Sequence, residues 1–379
     1  MKVSALFAGI GGIELGLHES DFETVLMCEN NDPAVAVLEH RFPGVPVHRD
    51  VSDLTDLPSD TELVTAGFPC QDLSQAGQTG GIRGDKSGLV THLFRLLKSS
   101  DVPWVLIENV PFMLQLDRGE AMEVLVTELE RLGYNWAYRV LDSRAFGVPQ
   151  RRRRVFLLAS KEEKPEGLLF SEEAGPPAPL PHEGRACGFY WTEGTRGLGW
   201  AVDATPTVKG GSGLGIPSPP AIWFPNGQIV TPDIRDAERL QGFDEDWTIA
   251  AADISRGRHR WKLVGNAVSV PAAAWVGRAL SQGEPGTIEA PALARKRSWP
   301  TAAFGSREGR FQVDFSEWPV RVATDSLEEF LRYPGKPLSE RATAGFLRRL
   351  KASSLRYPPE FGESLERHLE SWRAHAPAP

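Results

Sequence analysis

The chain of 379 residues is 41% apolar and 24% charged, the balance of a globular protein with room for one large domain and a smaller one. No apolar run approaches the ~20 residues that span a bilayer, and the amino terminus, Met1-Lys2-Val3-Ser4-Ala5-Leu6-Phe7, meets glycines too soon for a secretory signal. Cys28, Cys70 and Cys187 are too few and too scattered for a disulfide framework or a zinc site, so a reducing cytoplasm is expected, and a net charge of −8 marks no nucleic-acid binder unless positive charge gathers on one face.

Up to about residue 160, short apolar runs at 3–7, 24–29, 62–66, 104–108 and 155–160 predict strands. Between them, 34–42, 89–99 and 119–132 carry the i, i+3, i+4 apolar spacing of helices. Strands alternating with helices predict an α/β fold with a mostly parallel, doubly wound sheet. The first strand ends in Phe7-Ala8-Gly9-Ile10-Gly11-Gly12, a turn that lets a ligand approach backbone amides at a helix start. It lacks the third glycine of the dinucleotide fingerprint, because Glu14 stands there. Glu29 at the tip of the next strand is placed to hold a ribose diol, and Asp50, after Val47-His48-Arg49, to accept from an adenine amino group. Each acid alone reads as a surface carboxylate; in this order they read as an adenosyl-ligand site.

Cys70 follows the run 62–66 in Gly67-Phe68-Pro69-Cys70-Gln71, where a buried strand breaks into a loop. A lone cysteine is most often a small buried hydrophobe, but loops at the carboxyl ends of α/β strands are where such folds place chemistry. Glu108-Asn109-Val110 closes the apolar run Val105-Leu106-Ile107, so the carboxyl is expected to be partly desolvated and able to donate a proton, unless it is a salt-bridged or capping acid. Gln150-Arg151-Arg152-Arg153-Arg154 enters the last strand, and alternation sends Arg152 and Arg154 to one side. With 256–262 and 295–297 it makes one of three basic clusters.

From 161 to 230, proline and glycine replace helical periodicity, as in Gly175-Pro176-Pro177 and Lys209-Gly210-Gly211, which predicts a small irregular β-rich insert. Helical spacing returns at 235–240 and 272–280, a linker covers 282–294, and a helical tail fills 295–379. In that tail Leu327, Phe330 and Leu331 share a face, as do Phe346, Leu347 and Leu350, and Phe361, Leu365 and Leu369, with Asp325 and Glu328 as a capping box for the first. Such stripes must be buried, so the tail is expected to pack on the large domain or on a partner.

The order of these blocks, continued by Arg239-Leu240-Gln241-Gly242-Phe243 and Gly265-Asn266-Ala267-Val268, resembles the DNA (cytosine-5) methyltransferase family of bacterial restriction-modification type over about residues 1–281. The resemblance implies a Rossmann-like methyltransferase domain from 1–160 and 231–281, with a target-recognition domain at 161–230. It implies that Cys70 adds to C6 of a flipped cytosine, that Glu108 takes up charge at N3, and that Arg152 and Arg154 order the base. Phe7, Gly9, Gly11, Gly12, Glu29, Asp50, Val51, Pro69, Leu89, Asn266 and Val268 match positions around S-adenosylmethionine. Gln71, Ser74, Thr207 and Lys209 match positions near the DNA, although Thr207-Val208 stands where the family has Thr-Leu. No metal is required. The implied partner is double-stranded DNA, with a cognate restriction endonuclease or another phage-defence component behind it, and a cytoplasmic, nucleoid-associated monomer is expected. Competing readings are a tRNA cytosine-5 methyltransferase and a catalytically silent DNA-binding relative, while a zinc base deaminase fails because position 73 is Leu, not Cys.

Overall fold

The computed structural model describes residues 1–68, 88–211, 217–254, 258–294 and 298–374. In chain order the elements are β1 (Lys2–Leu6), α1 (Gly12–His18), β2 (Glu23–Cys28), α2 (Asp32–Arg41), β3 (Val47–His48), β4 (Leu63–Ala66), α3 (Leu89–Ser99), β5 (Trp104–Asn109), α4 (Glu120–Arg131), β6 (Asn135–Asp142), β7 (Gln150–Arg151), β8 (Arg153–Ser160) and α5 (Glu166–Leu169). There follow β9 (Cys187–Phe189), β10 (Ala201–Val202), β11 (Thr205–Pro206), β12 (Ala221–Trp223), β13 (Ile229–Thr231), α6 (Ile234–Leu240), α7 (Ala250–Ile254), α8 (Arg258–Asn266), α9 (Val270–Gln282), β14 (Ala302–Ser306), β15 (Gly309–Gln312), α10 (Leu327–Phe330), β16 (Lys336–Pro337), α11 (Glu340–Lys351) and α12 (Pro359–Ala374).

Two compact units result. The first comprises Met1–Phe146, Arg153–Pro176 and Ala267–Val322. Its sheet runs β15-β14-β6-β8-β5-β4-β1-β2-β3, parallel from β3 through β5 and with antiparallel pairings beyond. The chain leaves β1 toward β2 on one side and returns to β4 on the other, so the switch point, where α/β sheets open a crevice, lies between β1 and β4. Register levels the strand ends there: Leu6 pairs with Ala66, and Ala66 with Ile107. Helix α9 returns to this unit and packs on α1. A β-carbon built on Gly16 would stand 2.7 Å from the Ala274 amide nitrogen and the Val270 carbonyl, so only glycine permits that approach.

β6 was not anticipated from the sequence, because Arg139 and Asp142 interrupt its apolar run. Both are buried, and Arg139 is satisfied inside, donating to the carbonyls of Ser316 (2.8 Å), Leu169 (3.1 Å) and Glu172 (2.8 Å). The tail likewise begins with strands: β14 pairs with β6, and β15 with β14, extending the sheet's edge.

The second unit comprises Gly147–Arg152, Pro177–Asn266 and Ala323–Pro379. The chain therefore rejoins the first unit at Ala267, later than the expected 231, and 161–176 stay with the first unit. A five-stranded sheet, β10-β9-β12-β13-β16, and a two-stranded one, β11-β7, form its frame. The tail helices pack within this unit instead of on the large domain: Phe346, Leu350, Phe361 and Leu365 share one core with Phe189, Trp223 and Ile229. The capping box of α10 is Ser326 with Glu329, one residue beyond the expected pair; Ser326 Oγ accepts from the Glu329 amide, and Glu329 accepts from the Ser326 amide.

Candidate active site

At the carboxyl end of β1 the chain turns sharply, with Phe7 and Gly9 at φ 58° and Gly11 at φ 80°. A β-carbon on Gly11 would collide with the Phe42 ring at 2.3 Å, whereas at Gly9 nothing lies within 4 Å. The turn is thus packed on one side and open on the other. Glu29 holds it: its two oxygens accept from the amides of Gly9 and Asn31, each at 2.9 Å. Each carboxylate oxygen keeps further acceptor capacity, which a diol could occupy. Asp50 is exposed, and Oδ1 accepts from the Ser52 amide and hydroxyl, both at 2.8 Å. These bonds hold its carboxyl below the usual range. Val51 beside it is buried, and its carbonyl accepts from Arg95 at 2.9 Å. Leu89 begins α3, half-buried against the core.

Helices α1 and α9 run parallel, since Gly16 faces Val270–Ala274 and Gly277 faces Leu17 and Ser20. Their amino ends therefore lie at the same end, where helix dipoles favour negative charge. Ser269, the N-cap of α9, is 1% exposed, and its hydroxyl has no hydrogen-bond partner among the described residues. Val268 precedes it, half-buried, while Asn266 is exposed at the end of α8 in the second unit.

Glu108 is the penultimate residue of β5, with Phe156 of β8 opposite it. Arg154 Nε stands 3.0 Å from Glu108 Oε1, and both side chains are largely buried. Gly67, just past β4, faces Glu108 Oε2 with no β-carbon between. Asn109 ties the two strand ends together: Nδ2 donates to the Phe68 carbonyl, and Oδ1 accepts from the Val110 amide, both at 2.9 Å. Phe68 meets Phe7 edge-on at 6.2 Å. The chain is thereby fixed up to the residue before Pro69. Pro69, Cys70, Gln71 and Ser74 lie outside the described residues.

Alternation along 151–154 does not hold as expected, because β7 ends at Arg151 and β8, in another sheet, begins at Arg153. Arg152 lies between them, 1% exposed, and donates to the carbonyls of Val208 (3.4 Å) and Gly265 (3.3 Å) within the second unit. Nor is the run a solvated charge cluster: Arg151 donates to the Trp200 carbonyl and Arg153 pairs with Glu317. In the same unit Thr207 Oγ1 donates to the Arg151 carbonyl at 2.9 Å. Lys209 sits 3.6 Å above the Tyr190 ring and pairs with Glu193 at 2.6 Å.

Gln150 and Gln241 had no role in the sequence reading, although both stood in its motifs. Gln150 Nε2 donates to the Leu240 carbonyl (2.8 Å), Gln150 Oε1 accepts from the Val208 amide (2.8 Å), and Gln241 Nε2 donates to the Val264 carbonyl (2.7 Å). Gly210 and Gly265 are glycines for close approach: a β-carbon on Gly265 would lie 2.1 Å from the Gly210 nitrogen. Among the described residues no cluster of His, Cys, Asp or Glu is arranged to hold a metal, and no helix is long and apolar enough to cross a membrane.

Residues 1–183 match the C-5 cytosine-specific DNA methylase family. The Type II methyltransferase M2.BsuMI of Bacillus subtilis (strain 168) is 49% identical over 383 residues, covering 97% of this chain and 98% of that protein. The Type II methyltransferase M.BsuFI of Bacillus subtilis is 35% identical over 155 residues, 40% of this chain and 37% of that protein. In fold, the chain is similar to the S. pombe Dnmt2 methyltransferase, with a TM-score of 0.55 and 18% identity over 74% of this chain and 98% of that one.

Proposed function

This chain belongs to the C-5 cytosine-specific DNA methylase family, as a DNA methyltransferase of restriction-modification type, and from that premise we propose that it methylates C5 of a cytosine flipped out of duplex DNA through a covalent bond between Cys70 and C6. The observation that carries this reading is the group at the ends of β4 and β5: Glu108 held by Arg154, beside a strand exit that Asn109 fixes one residue short of Pro69-Cys70.

Cytosine C5 is a poor nucleophile until the ring is enriched in electrons. The Cys70 thiolate adds to C6, and the charge pushed into the ring is taken up at N3 by Glu108, which Arg154 orients. After C5 has gained the methyl group it gives up its proton to a base, and the Cys70–C6 bond breaks to restore the thiolate and the aromatic ring.

The residues around the glycine turn fit an adenosyl donor. Open space at Gly9 admits a ligand against the backbone, Glu29 has capacity for the ribose diol, Asp50 for the adenine amino group, and the orphaned Ser269 hydroxyl with the parallel amino ends of α1 and α9 for a carboxylate. S-adenosylmethionine bound there supplies the electrophilic methyl group; Phe7, Gly11, Gly12, Val51, Pro69, Leu89, Asn266 and Val268 complete its surroundings. Residues of the second unit, Thr207 and Lys209 among them, read the target sequence, Gln71 and Ser74 accompany the flipped nucleotide, and the modification protects host DNA from a cognate endonuclease. The test is bisulfite sequencing of DNA from cells expressing the gene: protection of cytosines in one recurrent sequence is expected, and an unmodified genome together with modified tRNA would overturn the reading.

A further inference from the structure

Glu14 is a buried acid that the reaction does not use. It lies in the first turn of α1, three residues past the glycine turn's Gly11, and is 1% exposed. Among the described residues no cation pairs with it. Its single side-chain partner there is Thr65, whose hydroxyl donates to Glu14 Oε1 at 2.7 Å. Thr65 is itself buried, in the middle of the sheet, between Ala5 of β1 and Leu106 of β5. A carboxyl in this place costs desolvation that a leucine would not, yet its hydrogen bond spans two elements with separate tasks. One carries the turn assigned to the methyl donor; the other leads through Gly67 and Phe68 to the nucleophile.

We propose that Glu14 is a positioning residue, and that the Glu14–Thr65 hydrogen bond locks the cofactor turn to β4, the strand that precedes Cys70 in the chain, so that methyl donor and activated cytosine meet in register. This rests on the function proposed above. Burial alone pushes the Glu14 carboxyl up, to about 7, against the opposing pull of Thr65 and of its own backbone amide. The neutral acid is therefore well populated near neutrality, and glutamine is its isosteric mimic.

The edge contact of Phe7 with Phe68 joins the same two segments, but rings slide where a short hydrogen bond fixes distance. Misplacement of reacting groups by about 1 Å is enough to slow a transfer step strongly. The bond's signature is thus a slowed transfer with each half-site intact.

Three readouts on the full chain test this: calorimetric affinity for S-adenosylhomocysteine, release of tritium from C5 of the target cytosine in the absence of the methyl donor (which reports thiolate addition alone), and the single-turnover rate of methyl transfer to unmodified DNA. Glu14→Leu and Thr65→Val should each lower the single-turnover rate by about tenfold or more and leave affinity and C5 hydrogen exchange near wild type. Glu14→Gln should restore the rate, and the Glu14→Leu/Thr65→Val double variant should be no slower than the slower single one. Rates unchanged in Thr65→Val, or Gln as slow as Leu, would overturn the proposal. Wild-type protein that neither binds S-adenosylhomocysteine nor exchanges the C5 hydrogen would instead overturn the function on which it rests. Thr65→Val nearly preserves shape, so the comparison survives if Glu14→Leu fails to fold.

Discussion

In the first unit the candidate groups stand at the level ends of β1, β4 and β5, regular strands buried on both faces; in the second, strands of two or three residues are held by side-chain amides such as Gln150 and by helices from the far end of the chain. The difference teaches where each kind of precision comes from. Backbone ladders fix Glu108 and the approach to Cys70 with few side-chain bonds. The second unit relies on contacts distant in sequence, which leaves its loops free to vary while their bases stay anchored.

The sharpest way to break this contrast is to remove the tail. Phe361 is fully buried, its ring 4.9 Å from that of Phe189 and 5.1 Å from that of Trp200. Phe361→Ala should cost about 3–5 kcal/mol in the second unit, and deletion from residue 323 should abolish its folding while cofactor binding survives. Chemical denaturation followed by tryptophan fluorescence, with S-adenosylhomocysteine calorimetry alongside, checks both. A deletion protein that still methylates its target would contradict the tail's place in that unit.

Glu14 sharpens the comparison from the other side. Burial raises its carboxyl to about 7 in the folded state from the ordinary glutamate value of 4.5, so the folded state binds more protons between those values. Stability from this group is therefore lost as pH rises from about 4.5 to 7, by on the order of 3 kcal/mol. Glu14→Gln should remove that slope, gaining on wild type from pH 5 to pH 8 in urea unfolding; parallel pH profiles would show that the acid is not held neutral.

Legibility followed the same division. The placement of the glycine turn, Glu29 and Glu108 at strand ends was legible because each sits where an apolar run meets a turn within a few residues. β6 was missed because Arg139 looks like a surface residue until its acceptors, more than thirty positions away at Glu172 and Ser316, are in place. β14 escaped because its partner is β6, where Ala302 pairs with Arg139. Gln150 gave no signal because Leu240, whose carbonyl it holds, is ninety residues on. The tail's stripes were legible as buried faces; which sheet they cover is a fact of packing that periodicity does not carry.

A smaller effect is expected at the cofactor turn. Glu29→Ala removes the acceptor for Gly9 and Asn31 and the proposed diol contact, and should weaken S-adenosylmethionine binding by about 1–3 kcal/mol. Titration calorimetry checks it, and an unchanged affinity would take Glu29 out of the site.

The most direct test of the chemistry is trapping on a duplex with 5-fluorocytosine at the target position, where fluorine cannot leave C5 as a proton does. Wild-type protein with S-adenosylmethionine should form a denaturation-resistant adduct whose modified peptide contains Cys70, and Cys70→Ala should form none while binding S-adenosylhomocysteine normally. An adduct formed by Cys70→Ala, or one mapped to Cys28 or Cys187, would contradict the assignment.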